Sequence, residues 1–159
     1  MTRLEDIEDH CAACGIEIER RPLPKNIKAV YYSTSDTEPV IVIDPSVRGH
    51  AEQVCRISEE LGHHYTTTGD LLTAKSMSKT RIRKQEILAR RWAFKYSVCL
   101  SGIVDAWKTG ARSLHEMAEH LGIEELFLVE ALETYEAIYG KFTTYGEYLI
   151  AFNPLTVIK

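Results

Sequence analysis

Apolar side chains recur along this chain with two different periods, and the alternation between them predicts the elements. Leu4, Ile7, Cys11 and Cys14 fall at i, i+3, i+7 and i+10, the stripe of an amphipathic helix that Thr2 can cap and Gly15 can end. Ile16-Glu17-Ile18-Glu19 then alternates as a strand does, and Arg21-Pro22-Leu23-Pro24 turns the chain. Two further strand-like runs, Lys28 to Ser33 and Pro39 to Asp44, flank the polar stretch Ser33 to Glu38, a loop of hairpin type. From about Val47 to Tyr65 the helical period returns through Ala51, Val54, Cys55, Ile57, Leu61 and Tyr65, and Thr66 to Asp70 closes that segment.

The remainder reads as mainly helical. A helix is expected from near Thr80 to Val98, followed by shorter ones over Leu100 to Thr109 and Leu114 to Leu121, broken by Gly110 and Gly122. Glu124 to Tyr139 is a longer helix through Leu126, Phe127, Val129, Leu132 and Tyr135, and Tyr148 to Phe152 can form a last strand. The expected fold class is therefore α+β, with a small antiparallel sheet beside the helix Val47 to Tyr65 and a helical C-terminal half. A length of 159 residues with 45% hydrophobic content suits one compact domain. Within it, residues 1–98 would be a core and residues 99–159 a helical extension with a terminal strand.

Composition and charge narrow the function. No apolar run approaches the roughly 18 residues that a membrane span needs. The acids between Met1 and Asp6 leave no room for a secretory signal there, so a cytoplasmic protein is expected. Net charge is only −4, too weak a field to demand nucleic acid. The distribution is uneven: Lys75, Lys79, Arg81, Arg83, Lys84, Arg90, Arg91 and Lys95 surround the single acid Glu86. Those bases are read first as a solvated helix face, and alternatively as a means of steering an acidic protein substrate or the backbone of DNA toward the site. Cys11 and Cys14 form a C-x-x-C without a second knuckle, so they are read as core residues rather than zinc ligands.

The chemistry concentrates in Ser58-Glu59-Glu60-Leu61-Gly62-His63-His64. On a helix, Glu59 and His63 are one turn apart on one face, where two side chains can grip one metal ion. Glu60, one residue round, stands where a helix of the H-E-x-x-H type carries its general base. A third ligand would come from a later element, and Glu86 on the next helix is the candidate. Taken alone, E-E-x-x-H also occurs on ordinary solvated helices, and both readings stay open at this point.

Glu59-Glu60-Leu61-Gly62-His63-His64-Tyr65, followed by Glu86-Ile87-Leu88-Ala89-Arg90-Arg91-Trp92-Ala93, resembles the two signature helices of the ImmA/IrrE family of metallopeptidases. The family pattern is H-E-x-G-H and then E-x-x-A-x-x-F-A, with both histidines and the second glutamate binding zinc. Ala13 to Tyr32 and Tyr139 through Leu155 are similar to members carried by prophages and integrative elements, so the likeness covers nearly the whole chain. The resemblance implies that Glu59, His63 and Glu86 hold a divalent metal while Glu60 is the base. Glu59 departs from the pattern, since histidine is usual there. A carboxylate can still ligate through oxygen, and an oxygen-rich set widens the preference from zinc toward Mn²⁺ or Fe²⁺.

His64, Asp70 and Arg90 are candidates for supporting the ligands or the substrate. Their plainer readings are a polar helix-edge histidine, a turn residue and a solvated base. Ser113 and Glu116 form a capping-box pattern before Gly122, so residues 113–139 read as a helix-turn-helix-like pair. Its second helix carries Glu124, Glu125, Glu130, Glu133 and Glu136 and no base before Lys141, so phosphates would repel it and direct nucleic-acid binding is not expected. By resemblance, the chain is a hydrolase of a mobile element whose substrate is a helix-turn-helix repressor, cleaved to derepress transcription. The alternative is a non-catalytic regulator that binds the same repressor with a degenerate or structural metal site.

Overall fold

A computed structural model describes residues 1–67 and 78–159. They form two compact units, Met1–Ala93 and Phe94–Lys159. The mixed α+β class expected from the sequence is the one observed.

In the first unit, α1 (Arg3–Ala13) opens on Thr2, which makes a reciprocal capping box with Glu5 and so satisfies two of the free N–H groups at the helix start. Ile7 and Cys11 are fully buried on its inner face. Strands β1 (Glu17–Arg20), β2 (Ala29–Thr34) and β3 (Thr37–Ile43) form a sheet of order β1-β3-β2. The β2–β3 hairpin is antiparallel, with Tyr31 opposite Ile41. The first strand differs from the antiparallel arrangement expected: β1 pairs with the other edge of β3 in parallel, with Ile18 opposite Ile41. An alternating run fixes which face is apolar but carries no direction. The stretch from Arg21 to Lys28 is long enough to carry the chain past β3 and begin β2 on the far edge.

Helix α2 (His50–Thr66) lies against α1, β2 and β3 and buries Val54, Cys55, Ile57, Ser58 and Leu61. Helix α3 (Lys79–Ser97) follows, and its turns up to Ala93 belong to this unit. Gly62 is the point at which α2 meets α3. A Cβ there would collide with the Ala89 carbonyl, standing 2.7 Å from its carbon. Glycine within a helix costs about 1 kcal/mol relative to alanine, so close approach of a neighbouring backbone is the reason to keep one here.

The second unit contains α4 (Leu100–Lys108), α5 (Leu114–Leu121) and α6 (Glu125–Tyr139), followed by β4 (Phe142–Tyr145), β5 (Tyr148–Phe152) and β6 (Leu155–Ile158). Ser113 and Glu116 make the expected capping box, and Gly122 ends α5 in the left-handed region at φ 68°. The buried Tyr135 hydroxyl donates to the Val98 carbonyl at 2.7 Å. In place of one terminal strand, β4, β5 and β6 form an antiparallel meander around the buried Ile150. Phe142-Thr143-Thr144-Tyr145 and Leu155-Thr156-Val157-Ile158 are only four residues each, too short for periodicity to declare them.

Candidate metal centre

The Gly62–Ala89 contact sets the register of the two helices that carry the candidate residues. One residue beyond Gly62, the imidazole of His63 points at α3, and one turn before Ala89 stands Glu86. Their Nε2 and Oε1 atoms are 3.3 Å apart, with the His63 side chain 10% exposed and that of Glu86 56% exposed. Two donors each about 2.0 Å from a tetrahedral metal stand about 3.3 Å apart, so the separation suits a shared divalent ion as well as a hydrogen bond. The Thr67 hydroxyl lies 3.5 Å from Nδ1 of His63.

Without a metal the two groups stand within hydrogen-bond distance, an ion pair whenever His63 is protonated. Desolvation opposes a charged His63, but the hydrogen bond with Glu86 and the charges of Glu60, Glu86 and Glu59 outweigh it, and the net shift is upward. The Glu86 carboxyl is lowered in turn, chiefly by the hydrogen bond from His63.

Glu60 is in a different setting. Burial pushes its carboxyl up to about 7, against the attraction of His63 and a hydrogen bond from the Tyr31 backbone, with Glu59 and Glu86 adding repulsion. A carboxyl balanced between its two forms near neutrality can take a proton and give it back.

Glu59 was expected to share the metal with His63, yet its carboxylate is drawn between two guanidinium groups. Oε2 is 3.4 Å from Arg56 and Oε1 is 3.5 Å from Arg90. The electrostatic reason is simple: a carboxylate flanked by Glu60 and facing the helix of Glu86 gains more from nearby cations than from further anions. Among the described residues, no three His, Cys, Asp or Glu side chains gather closely enough to hold a metal. His63 and Glu86 are thus brought together, and Glu59 contacts Arg56 and Arg90.

The supporting candidates separate too. Nδ1 of His64 is 2.8 Å from the Tyr31 hydroxyl, and its ring makes edge contacts with Tyr31 and Tyr65, so it braces α2 against β2. Arg90 pairs with Glu59. Asp70 lies outside the described residues, as does Lys75. The sequence reading missed Arg56, Tyr31 and the role of Gly62. A base three residues before Glu59 and a glycine inside a helical pattern were the signals available for two of them. Tyr65 faces Trp92 in a stack at 4.6 Å, and its hydroxyl meets His10 at 2.9 Å and Cys14 at 3.0 Å. Cys11 is buried as expected, its thiol raised to about 12 by desolvation, whereas Cys14 is only partly covered.

The family model of the IrrE N-terminal-like domain, Peptidase_M78, matches residues 11–133. The chain belongs to that family, which carries a metallopeptidase-type function. The matched span runs from the end of α1 through α5 and much of α6. No curated protein matches the chain. No helix among the described residues is long and apolar enough to cross a membrane.

Proposed function

We propose that this Peptidase_M78 chain is a cytoplasmic metal-dependent endopeptidase of a prophage or mobile element, and that its substrate is a helix-turn-helix repressor. The observation that carries the proposal is the juxtaposition of His63 and Glu86 at 3.3 Å beside a glutamate, Glu60, poised near neutrality. His63 and Glu86 would hold the metal, with Glu59 as the third protein ligand once its carboxylate leaves Arg90. Zinc suits the imidazole, and Mn²⁺ or Fe²⁺ suits a set with two carboxylates. When bound, the metal polarises a scissile carbonyl and acidifies water.

The protein's own groups supply the rest. Glu60 accepts the proton of the attacking water and returns it to the leaving amine, a role that needs both protonation states accessible at working pH. The Tyr31 backbone keeps the Glu60 carboxylate oriented. Arg90, beside Glu86, adds positive charge to a site holding three carboxylates.

A second reading has one observation in its favour. The hold of Arg56 and Arg90 on Glu59 suits a degenerate site in a regulator that binds the repressor without cutting it. Glu60→Gln separates the two, assayed on a helix-turn-helix repressor of the proposed kind. A peptidase loses about 100-fold or more of its cleavage rate while retaining metal and repressor binding. If wild type cuts nothing and Glu60→Gln regulates as wild type does, the regulator reading stands in its place.

A further inference from the structure

The second unit carries the charge excess of the molecule. It holds five bases (Lys95, Lys108, Arg112, Lys141 and Lys159) against nine acids, which leaves the 19 basic and 23 acidic residues of the chain balanced at 14 each in the first unit. Within this acidic unit a cleft of about 330 Å³ opens between α6 and the turn from β5 to β6. Val129, Leu132, Glu133 and Glu136 fall at i, i+3, i+4 and i+7 on one face of α6, and Phe152 and Leu155 form part of the facing wall. The floor is apolar and one rim is acidic.

Arg112 also lines the cleft, but its guanidinium is committed elsewhere. Its Nη1 donates to the carbonyls of Trp107 at 2.6 Å and Ala111 at 2.8 Å, and the group lies over the Trp107 ring at 4.8 Å. Glu133 and Glu136 make no ion pair among the described residues. A cleft of this size takes an apolar side chain or two, and its rim then meets whatever flanks them.

We infer that this cleft docks a segment of the partner protein in which apolar side chains stand beside lysine or arginine. The inference rests on the repressor reading above: DNA-binding proteins carry such bases for phosphate contacts, and an acidic unit attracts what duplex DNA attracts. An acidic surface that would repel duplex DNA thus suits a protein that binds it. Docking here would select substrate through residues of the second unit, none of which is among the candidate catalytic residues.

Fluorescence anisotropy tests this on the full chain, with a labelled peptide of leucine interspersed with lysine and arginine as the probe. Its counterpart with glutamate in place of the bases is the control. The basic peptide should bind, bind more weakly as salt rises, and lose about tenfold or more in affinity when Glu133→Lys and Glu136→Lys are combined. Val129→Trp, which fills the cleft without changing charge, should weaken it comparably, while Glu60→Gln should leave it unchanged. Thermal melts confirm that each variant is folded. No binding to wild type, equal binding of the acidic peptide, or undiminished binding by either cleft variant would overturn the inference. Failure of the peptidase reading looks different: wild type would lack metal and cleavage while peptide binding persisted.

Discussion

Helices α2 and α6 each carry a pair of glutamates, and the two pairs have little in common physically. In α2, Glu59 is 20% exposed between two guanidinium groups, and its half-buried neighbour Glu60 has its carboxyl raised to about 7 by desolvation. In α6, Glu133 and Glu136 line an open cleft and make no ion pair among the described residues. The difference arises from what the fold brings opposite each pair. For α2 it is β2 and the basic helix α3, admitted to close range by Gly62, whereas for α6 it is Phe152 and Leu155 at the turn between β5 and β6. Side chains of one type thus become a candidate base, a structural anion and a docking rim.

Breaking the α2 side should have the largest effect. Gly62→Ala puts a methyl group into the Ala89 backbone, which no rotamer change relieves. The expected cost is about 3 kcal/mol in urea unfolding, at the upper end for overpacking, and the His63–Glu86 pair should part with it. An alanine variant as stable as wild type would mean that α3 does not rest on Gly62. A smaller effect sharpens the comparison: Glu59→Gln should cost about 1 kcal/mol, because two arginines lose a partly buried partner, while Glu133→Gln should stay within about 0.5 kcal/mol. Equal costs in the same denaturation assay would erase the distinction drawn between the two helices.

The smallest effect concerns a third carboxylate environment. The Ser46 side chain, together with the backbone N–H groups of Leu23 and Ser46 that donate to Asp44 at 2.9 Å each, holds the Asp44 carboxyl at about 2 rather than 3.8. Its folded-state value is depressed, so the unfolded chain takes up the proton more readily. The resulting stability is present above pH 3.8 and is lost as pH falls through about 2. Acid titration of the melting temperature should therefore be flatter for Asp44→Asn than for wild type across that window. Superimposable curves would remove Asp44 as a contributor.

Much of this could be read from the sequence, for reasons that lie in particular residues. The bounds of α5 follow from Ser113, Glu116 and Gly122, and α2 from a stripe ending near Tyr65, because caps and periodicity are local properties. The parallel attachment of β1 was hidden, since Ile16 to Glu19 alternates identically in either direction. The second sheet was hidden because its outer strands are so short. At the site, the spacing of Glu59, Glu60 and His63 and the pairing of His63 with Glu86 were legible. The turn of Glu59 toward Arg56 and Arg90 was not, because it depends on which helix face α3 presents, a tertiary fact.

The most direct test of a metal centre built on His63 and Glu86 is metal content by mass spectrometry. Tag-free protein purified without chelator would be compared for wild type, His63→Ala and Glu86→Ala. Near-stoichiometric metal in wild type, lost in both variants, is the predicted result. A wild-type protein that is empty and also takes up no Zn²⁺, Mn²⁺ or Fe²⁺ on titration would contradict it, and the pairing at 3.3 Å would then be a side-chain hydrogen bond alone.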